Sequence, residues 1–256
     1  MRVTILGCGT SGGVPMLGVG WGDCDPQETK NRRRRSSVLV EVDGFNILID
    51  TSPDCREQLL DANISRIDAV LYTHAHADHC HGIDDLRWIC HAMGAPIPIF
   101  SDANTLKLLA NRFDYAFDGL DEKAGRNYYK PVLIPNAIKG EFEFKGIKIQ
   151  SFIQDHGHST SLGYRIGDFA YSTDVWQLDD KAFDTLQGVK TWVVDALQLK
   201  PHPTHAHLER TLDWISHVKP ESAILTHMNT HMDYQSLKHT LPTGVIPGHD
   251  GLILAL

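Results

Sequence analysis

Apolar and β-branched runs recur along the first half of the chain at the spacing of short strands. Residues 2–7 (RVTILG), 37–42 (SVLVEV), 45–51 (FNILIDT) and 69–74 (AVLYTH) each read as a strand. Asp43-Gly44 separates the second from the third, and this pair accepts the positive φ angles of a two-residue hairpin turn. Beyond residue 74 the period lengthens: Ile83, Leu86, Ile89, Cys90 and Met93 recur at helical spacing. The stretch 72–88 (YTHAHADHCHGIDDLRW) is therefore strand, loop, then helix. Residues 103–113 (ANTLKLLANRF) predict a helix capped by Ser101 or Asp102.

The second half repeats the theme. Hairpins centre on Lys145-Gly146 within GEFEFKGIKIQSFI and on Gly167-Asp168 within SLGYRIGDFAYSTD. Residues 191–197 (TWVVDAL) read as a buried strand. Residues 207–218 (HLERTLDWISHV) place Leu208, Leu212 and Ile215 on one helical face and stop at Lys219-Pro220. Strands at 222–227 (SAILTH) and 251–256 (GLILAL) complete the pattern. No low-complexity linker divides the halves. Two packed sheets with helices outside, in a single domain over 1–256, are predicted.

Composition narrows the class without naming a function. The 256 residues are 42% hydrophobic and 22% charged, enough to bury a sizeable core. No apolar run approaches the roughly 18 residues that cross a bilayer, and MRVTILGCGTSGG opens a strand rather than a leader. No membrane partner is expected, and the cytoplasm is the expected location. The five cysteines (Cys8, Cys24, Cys55, Cys80, Cys90) include no CxxC pair, which argues against a disulfide framework. A net charge of −8 disfavours long nucleic acid as a partner. Fifteen histidines stand out, because imidazole is the commonest metal ligand.

Residues 7–12 (GCGTSG) match the G-x-G-x-x-G dinucleotide fingerprint directly after a strand. That fingerprint needs a helix next, whose N-terminus holds the pyrophosphate. The chain instead continues GVPMLGVGWGDCDP, with Pro15, further glycines and no helical period. The stretch reads as a tight glycine turn leaving the first strand.

The chemistry concentrates in His74-x-His76-x-Asp78-His79, where strand gives way to helix. His74 and His76, two apart in extended backbone, can point to one side and share a cation. Asp78 and His79, at the helix start, can face a second cation beside it. Imidazole nitrogen and carboxylate oxygen suit zinc or manganese-like ions, and two such ions a few ångströms apart make a hydrolytic site. Four ligands cannot saturate two metals, so further ligands should end later strands. His156 in IQDHGHS, Asp174 in YSTDV and His227 in ILTHM each do so.

In order along essentially the whole chain, ILGCGTSGGVP, ILIDTSPD, YTHAHADHCHG, DHGHSTSLGY, YSTDV, ILTHM and GHDGLIL resemble the motifs of the metallo-β-lactamase-fold hydrolases. The LTH strand, SLGYR hairpin and DDLRW helix are most similar to the cyclic-phosphate phosphodiesterases of phosphonate catabolism, which open phosphoribosyl 1,2-cyclic phosphate. The resemblance implies an α+β fold, an αββα four-layer sandwich of two mixed β-sheets flanked by helices. It implies two divalent metal ions, Zn or Mn. His74, His76 and His156 would hold one, Asp78, His79 and His227 the other, and Asp174 would bridge them. His158 is the alternative to His156 in DHGHS.

The same resemblance implies a small phosphorylated substrate cut by metal-activated water, with Asp78 and His205 in the catalytic set. His205, from KPHPTHAHLER, would contact the substrate and protonate the departing alkoxide; His202 and His207 share that segment. Asp50, ending ILID, reads as a residue orienting a ligand imidazole. Arg32 to Arg35 form the densest basic run and lead into a strand, so alternate side chains face opposite ways. Arg34 and Arg35 are the candidates to grip a phosphate remote from the scissile one.

One departure from that family is visible. Phosphonate-pathway members carry a structural zinc on a cysteine cluster after the glycine turn, with a histidine near the C-terminus. Here the loop retains only Cys24, with His231 as a remnant partner, so no structural zinc is expected. The rival readings are a ribonuclease Z-like nuclease, which needs a protruding basic arm not visible here, and a non-catalytic metal-binding carrier on the same scaffold. The full ligand set argues against the carrier. His81, Asp84 and Asp85 read as helix-surface or supporting residues, and a homodimer is left open.

Overall fold

The computed structural model, which describes residues 1–119 and 130–256, turns the apolar runs into the strands of two sheets. The first half runs β1 (Arg2–Gly7), β2 (Ser37–Val42), β3 (Phe45–Ile49), α1 (Cys55–Asp61), β4 (Ala69–Leu71), α2 (Ala77–Cys80), α3 (Leu86–Met93), β5 (Ile97–Ser101), α4 (Ala103–Arg112), α5 (Asp114–Phe117) and β6 (Leu133–Ala137). The second runs β7 (Glu141–Phe144), β8 (Ile147–Asp155), β9 (Thr160–Ile166), β10 (Phe169–Ser172), α6 (Asp180–Leu186), β11 (Thr191–Asp195), α7 (Leu208–Val218), β12 (Ser222–Thr226), α8 (Tyr234–Thr240), β13 (Val245–Pro247) and β14 (Ile253–Ala255).

Among the described residues each sheet has seven strands, in the orders β14-β1-β2-β3-β4-β5-β6 and β13-β12-β11-β10-β9-β8-β7. Both are mixed in the same way. Antiparallel hairpins fill one half of each sheet, and parallel strands (β3 to β6, and β10 to β13) fill the other. The first hairpin forms where predicted: Asp43 and Gly44 carry φ of 50° and 81°, the pair of positive angles a tight hairpin turn demands.

The period of two decides what packs where. Val38, Val40, Ile47, Ile49 and Leu71 face the second sheet, meeting Ile149, Tyr164, Tyr171 and Val193 in one buried cluster. Their neighbours Leu39, Leu48 and Val70 face outward onto Leu59, Ile83, Leu86 and Leu106 of the covering helices. Strands buried on both faces explain the near-continuous apolar runs. On the far side, Ala182, Leu186, Trp214 and Leu237 of α6, α7 and α8 join the inter-sheet cluster. The layers are therefore helix, sheet, sheet, helix. No helix among the described residues is long and apolar enough to cross a membrane.

Two strands end earlier than their apolar runs. β3 stops at Ile49 because Asp50 turns out of the sheet with φ 63°, and β4 stops at Leu71. These early stops matter, since parallel strands in one sheet end at the same edge, and the residues just past them gather there.

Candidate metal centre

The rim past β3, β4, β10, β11 and β12 collects the titratable side chains. His74, His76, His156 and Asp174 bring one ligand atom each within 4.8 Å of one another, and Asp78, His79, Asp174 and His227 do the same. Asp174 belongs to both groups. Its Oδ2 lies 3.7 Å from His74 Nε2 and 3.6 Å from His156 Nε2, while Oδ1 lies 3.0 Å from His79 Nε2 and 3.3 Å from His227 Nε2. Asp78 Oδ2 completes the second group, 3.2 Å from His79 Nε2 and 3.5 Å from His227 Nε2.

Local structure aims these groups. His76 sits at the start of α2 in extended backbone, and Asp78 and His79 occupy the helix's first turn. Asp174 and His227 leave β10 and β12 with φ of 53° and 58°, a left-handed conformation that costs a residue bearing Cβ and that clusters at functional sites.

A further set of contacts fixes the rings. Asp50 Oδ2 lies 2.7 Å from His79 Nδ1, and the Asp50 carboxylate also accepts from the Thr73 backbone N–H and hydroxyl, both at 2.8 Å. His156 Nδ1 lies 2.7 Å from the Thr204 carbonyl. Each contact leaves Nε2 as the atom presented to the cluster, the arrangement expected of metal-bound imidazole. Nε2 of His74, His79 and His227 is buried, and the carboxylate oxygens around these atoms make no well-directed hydrogen bond to them. Buried polar atoms are seldom left so, and a divalent cation supplies what these lack. The residues present therefore fit a metal.

The protonation states agree. Burial pushes the pKa of His74 well below its ordinary value and lowers those of His76 and His156, so these rings keep their lone pairs. Asp174 resists burial because His227, His79 and His205 surround it, and its pKa lies well below the usual carboxylate range. Neutral imidazole and ionised carboxylate are the forms that bind cations. For His79 burial is outweighed by Asp174, Asp78 and Asp50, which raise its pKa well above normal. Three carboxylates around one imidazole mark a place where positive charge is wanted.

His205 stands beside this cluster. Its Nδ1 lies 3.0 Å from Asp195 Oδ2, its Nε2 lies 3.8 Å from Asp174 Oδ2, and its ring stacks on His227 at 4.7 Å. Burial opposes its protonation, yet Asp195 and Asp174 lift its pKa to about 9. Asp195 is not among the residues expected from the sequence, although it ends TWVVD as Asp50 ends ILID. His202 packs 5.4 Å from the His205 ring, and His207 precedes α7 with Nε2 4.0 Å from Glu209. His158 is exposed and belongs to neither four-residue group.

The arginine run divides by parity. Arg33 is buried and donates to the carbonyls of Met232 (2.6 Å) and Asn229 (3.4 Å). Arg35 pairs with Asp54 at 2.9 Å and lies against Gly13. Arg34 pairs with Asp61 and lines a separate cavity, because the alternation of extended backbone turns it away from the rim; neither Arg34 nor Arg35 lines the space around the histidines. The glycine turn finds its purpose here too. A Cβ at Gly7 would lie 2.1 Å from the Arg35 carbonyl, and one at Gly9 would lie 2.9 Å from Arg33 and Arg34. The glycines permit close packing of this turn on residues 33–35.

Elsewhere, Cys24 is buried with the Arg33 guanidinium 3.9 Å away, while His231 Nδ1 lies 2.6 Å from Asp23. His81 packs edge-on to Phe113, and Asp85 accepts from the Arg56 backbone N–H.

Two adjoining hollows open from the centre. One, of about 400 Å³, is lined by Ser11, Asp78, Asp174, His205 and His227. The other, of about 660 Å³, shares His76, His158 and Ser159 with it and runs between the 155–160 loop and Asn104, Thr105, Leu108 and Arg112 of α4.

Fold and site together define a metal-dependent hydrolase scaffold, and comparison with known proteins gives the family. Residues 45–228 match the model of the β-lactamase superfamily domain. A diphosphatase from the PhnP family has a solved structure with TM-score 0.91 and 34% identity, covering 100% of this chain and 97% of that one. An octanoyltransferase of Porphyromonas gingivalis is 33% identical over 98% of this chain and 51% of its own length. A ribonuclease Z of Clostridium kluyveri is 25% identical over 75% of this chain and 54% of its own. The chain spans about half the length of the curated relatives it matches. It belongs to the metallo-β-lactamase-fold hydrolases of the β-lactamase superfamily, close to the PhnP family.

Proposed function

We propose that the chain is a dinuclear metal-dependent phosphodiesterase acting on a small cyclic phosphodiester, such as phosphoribosyl 1,2-cyclic phosphate. One observation carries the reading: two ligand groups share Asp174 and open, beside His205, into a small hollow lined by histidines and carboxylates. His74, His76 and His156 would hold one zinc or manganese ion, and Asp78, His79 and His227 the other. When bound, a pair of such ions acidifies water and neutralises phosphoryl oxygens.

The chain's own groups supply the rest. His205 lines the hollow with its Nε2 3.8 Å from Asp174 and carries the proton for the departing alkoxide, while Asp195 holds its Nδ1 and keeps it protonated. Asp50 and the Thr204 carbonyl hold the ligand rings in register. The 660 Å³ groove accommodates the part of the substrate that is not cut, and Arg112 is its cation; the Arg112 guanidinium also donates to the Ala75 carbonyl. The five free, buried cysteines suit a reducing compartment.

The test is a phosphorus NMR time course with phosphoribosyl 1,2-cyclic phosphate, on manganese-loaded and chelator-treated protein. Metal-dependent appearance of a ring-opened monoester is expected; two bound metals without turnover would discard this substrate. His205→Ala should slow alkoxide-leaving substrates by about 10²–10⁴-fold and largely spare bis(p-nitrophenyl) phosphate, whose leaving group needs no proton. The PhnP-family neighbour is a diphosphatase, so a small organic diphosphate is the second substrate class to assay.

A further inference from the structure

A separate cavity of about 530 Å³ opens on the outer face of the first sheet and shares no lining residue with the hollows at the histidine centre. Arg2, Thr4 and Leu6 line it because they alternate along β1 with Val3 and Ile5, which face the other sheet. Arg32 and Arg34 reach it from the extended segment before β2 by the same period, which sends Arg33 inward.

The charge is lopsided. Arg2, Lys30, Arg32 and Arg34 line the cavity, against the carboxylates of Asp61 and Asp250, in a chain whose net charge is −8. Both carboxylates are already engaged. Asp61 pairs with the Arg34 guanidinium, and Asp250 accepts from the backbone N–H of Arg34 at 2.8 Å and of Cys8 at 3.2 Å. Arg2 pairs with Glu41 at 3.1 Å. Lys30 and Arg32 have no carboxylate within ion-pair distance among the described residues. The Lys30 ammonium meets the Tyr234 hydroxyl at 3.2 Å and lies 4.7 Å from its ring centroid, and the Arg32 guanidinium sits 5.9 Å from the Trp21 ring. Aromatic faces position cations without neutralising them.

We propose that this cavity binds a small phosphate polyanion at a site distinct from the histidine centre. Guanidinium forks match phosphate oxygens in geometry as well as charge. Backbone contacts tie the site to the centre. The Arg34 carbonyl accepts from Gly9 N–H at 2.7 Å, and the Cys8 carbonyl accepts at 2.9 Å from Met228, the residue after His227. An anion gathering Lys30, Arg32 and Arg34 firms the segment against which the Ser11 loop rests.

Isothermal titration with pyrophosphate and with ADP, using chelator-treated protein at low ionic strength, tests this. Chelation removes the phosphate affinity that bound metals would bring. Saturable binding is expected, weakened at least about tenfold in Lys30→Gln/Arg32→Gln and declining as salt rises. Arg32→Glu, a charge reversal at an exposed position, should weaken it in the same direction. His76→Ala at the centre should leave it within about twofold, since His76 lines no part of this cavity and the chelator-treated protein has no metal for the substitution to displace. Binding of both probes supports an organic diphosphate, and binding of pyrophosphate alone supports an inorganic one. No saturable binding by the wild type overturns the proposal. So does unchanged binding by both charge variants, loss only in His76→Ala, or response to an RNA oligonucleotide but to neither small anion.

Discussion

The two sheets deliver the same chemistry to one rim by different routes. The first sheet does so locally, with His74, His76, Asp78 and His79 inside one strand-to-helix passage between β4 and α2. The second does so from dispersed positions: His156 follows β8, Asp174 follows β10 and His227 follows β12. Alternation in extended backbone and the first turn of a helix aim the local ligands. Asp174 and His227 rely on the parallel pairing of β10, β11 and β12, which brings their ends level, whereas His156 follows β8, whose neighbour β9 is antiparallel. The backbone cost differs accordingly. Asp174 and His227 hold left-handed φ angles, whereas none of the four local ligands does, and such a conformation costs a non-glycine residue about 1–2 kcal/mol. Strain sits at the two ligands that end parallel strands, and not at His156, which follows β8 without a left-handed angle.

Asp174 is the residue on which the routes converge, so its loss offers the harshest test. Asp174→Ala should lower bound metal toward zero and hydrolysis by at least about a thousandfold, roughly 4 kcal/mol. His76→Ala removes one local ligand and should still retain metal in the Asp78, His79, Asp174 and His227 group. Metal content by mass spectrometry together with kcat/KM decides it. Full metal loss in His76→Ala would show that the groups fill only together, and the distinction between routes would have no energetic meaning.

Metal removal comes next in size. Stripping the protein should lower its stability by about 3 kcal/mol for each ion lost, where free metal had stood at a hundred times its dissociation constant. Thermal unfolding with and without chelator, then with zinc or manganese restored, reads the effect. An unchanged midpoint would mean that the buried Nε2 atoms of the centre find no cation.

Each route also has its own supporting carboxylate, and these can be compared directly. Asp50 holds His79, and Asp195 holds His205. Asp50→Asn should weaken metal binding by about 10–100-fold. Asp195→Asn should spare metal binding and instead alter the pH profile. Asp195 raises the pKa of His205, so removing its charge lowers that pKa. Activity that needs protonated His205 is lost as pH rises, and in the variant that loss should come at a lower pH. If both variants changed metal affinity alike, His205 would belong with the ligands rather than with the proton.

The difference between the routes also governs what can be read from the chain. Both sets of candidate ligands are legible, since each lies just past an apolar run, and the structure brings together all seven. Asp195 carries the same signal and needs only the rule that a carboxylate closing a buried strand faces the rim. Parity is harder. Alternation says that neighbours among Arg32 to Arg35 diverge, yet only the assembled sheet shows Arg34 on the outer face. The α4 groove has no local signature, because Asn104 and Arg112 become a wall only against the 155–160 loop of the other sheet. Helix α1 is masked by a polar residue on its buried face: Gln58 packs with Cys55 and Leu59 and donates to the Arg35 carbonyl at 2.8 Å.

The smallest effect isolates the backbone cost from the chemistry. Lys219 ends α7 with φ 56° and ψ 51°, the same left-handed conformation as Asp174 and His227, but lies outside both ligand groups. A glycine there would adopt the angle without the Cβ penalty, as glycine commonly does after a helix, although it also frees the unfolded chain. The net for Lys219→Gly should be a stabilisation of up to about 1 kcal/mol, read by urea unfolding with metal content unchanged. His227→Gly relieves the same strain and removes a candidate ligand, so it should lose metal whatever it gains in the backbone. A destabilised Lys219→Gly would mean that left-handed angles here are not costly, and the strain at Asp174 and His227 would then say nothing about function.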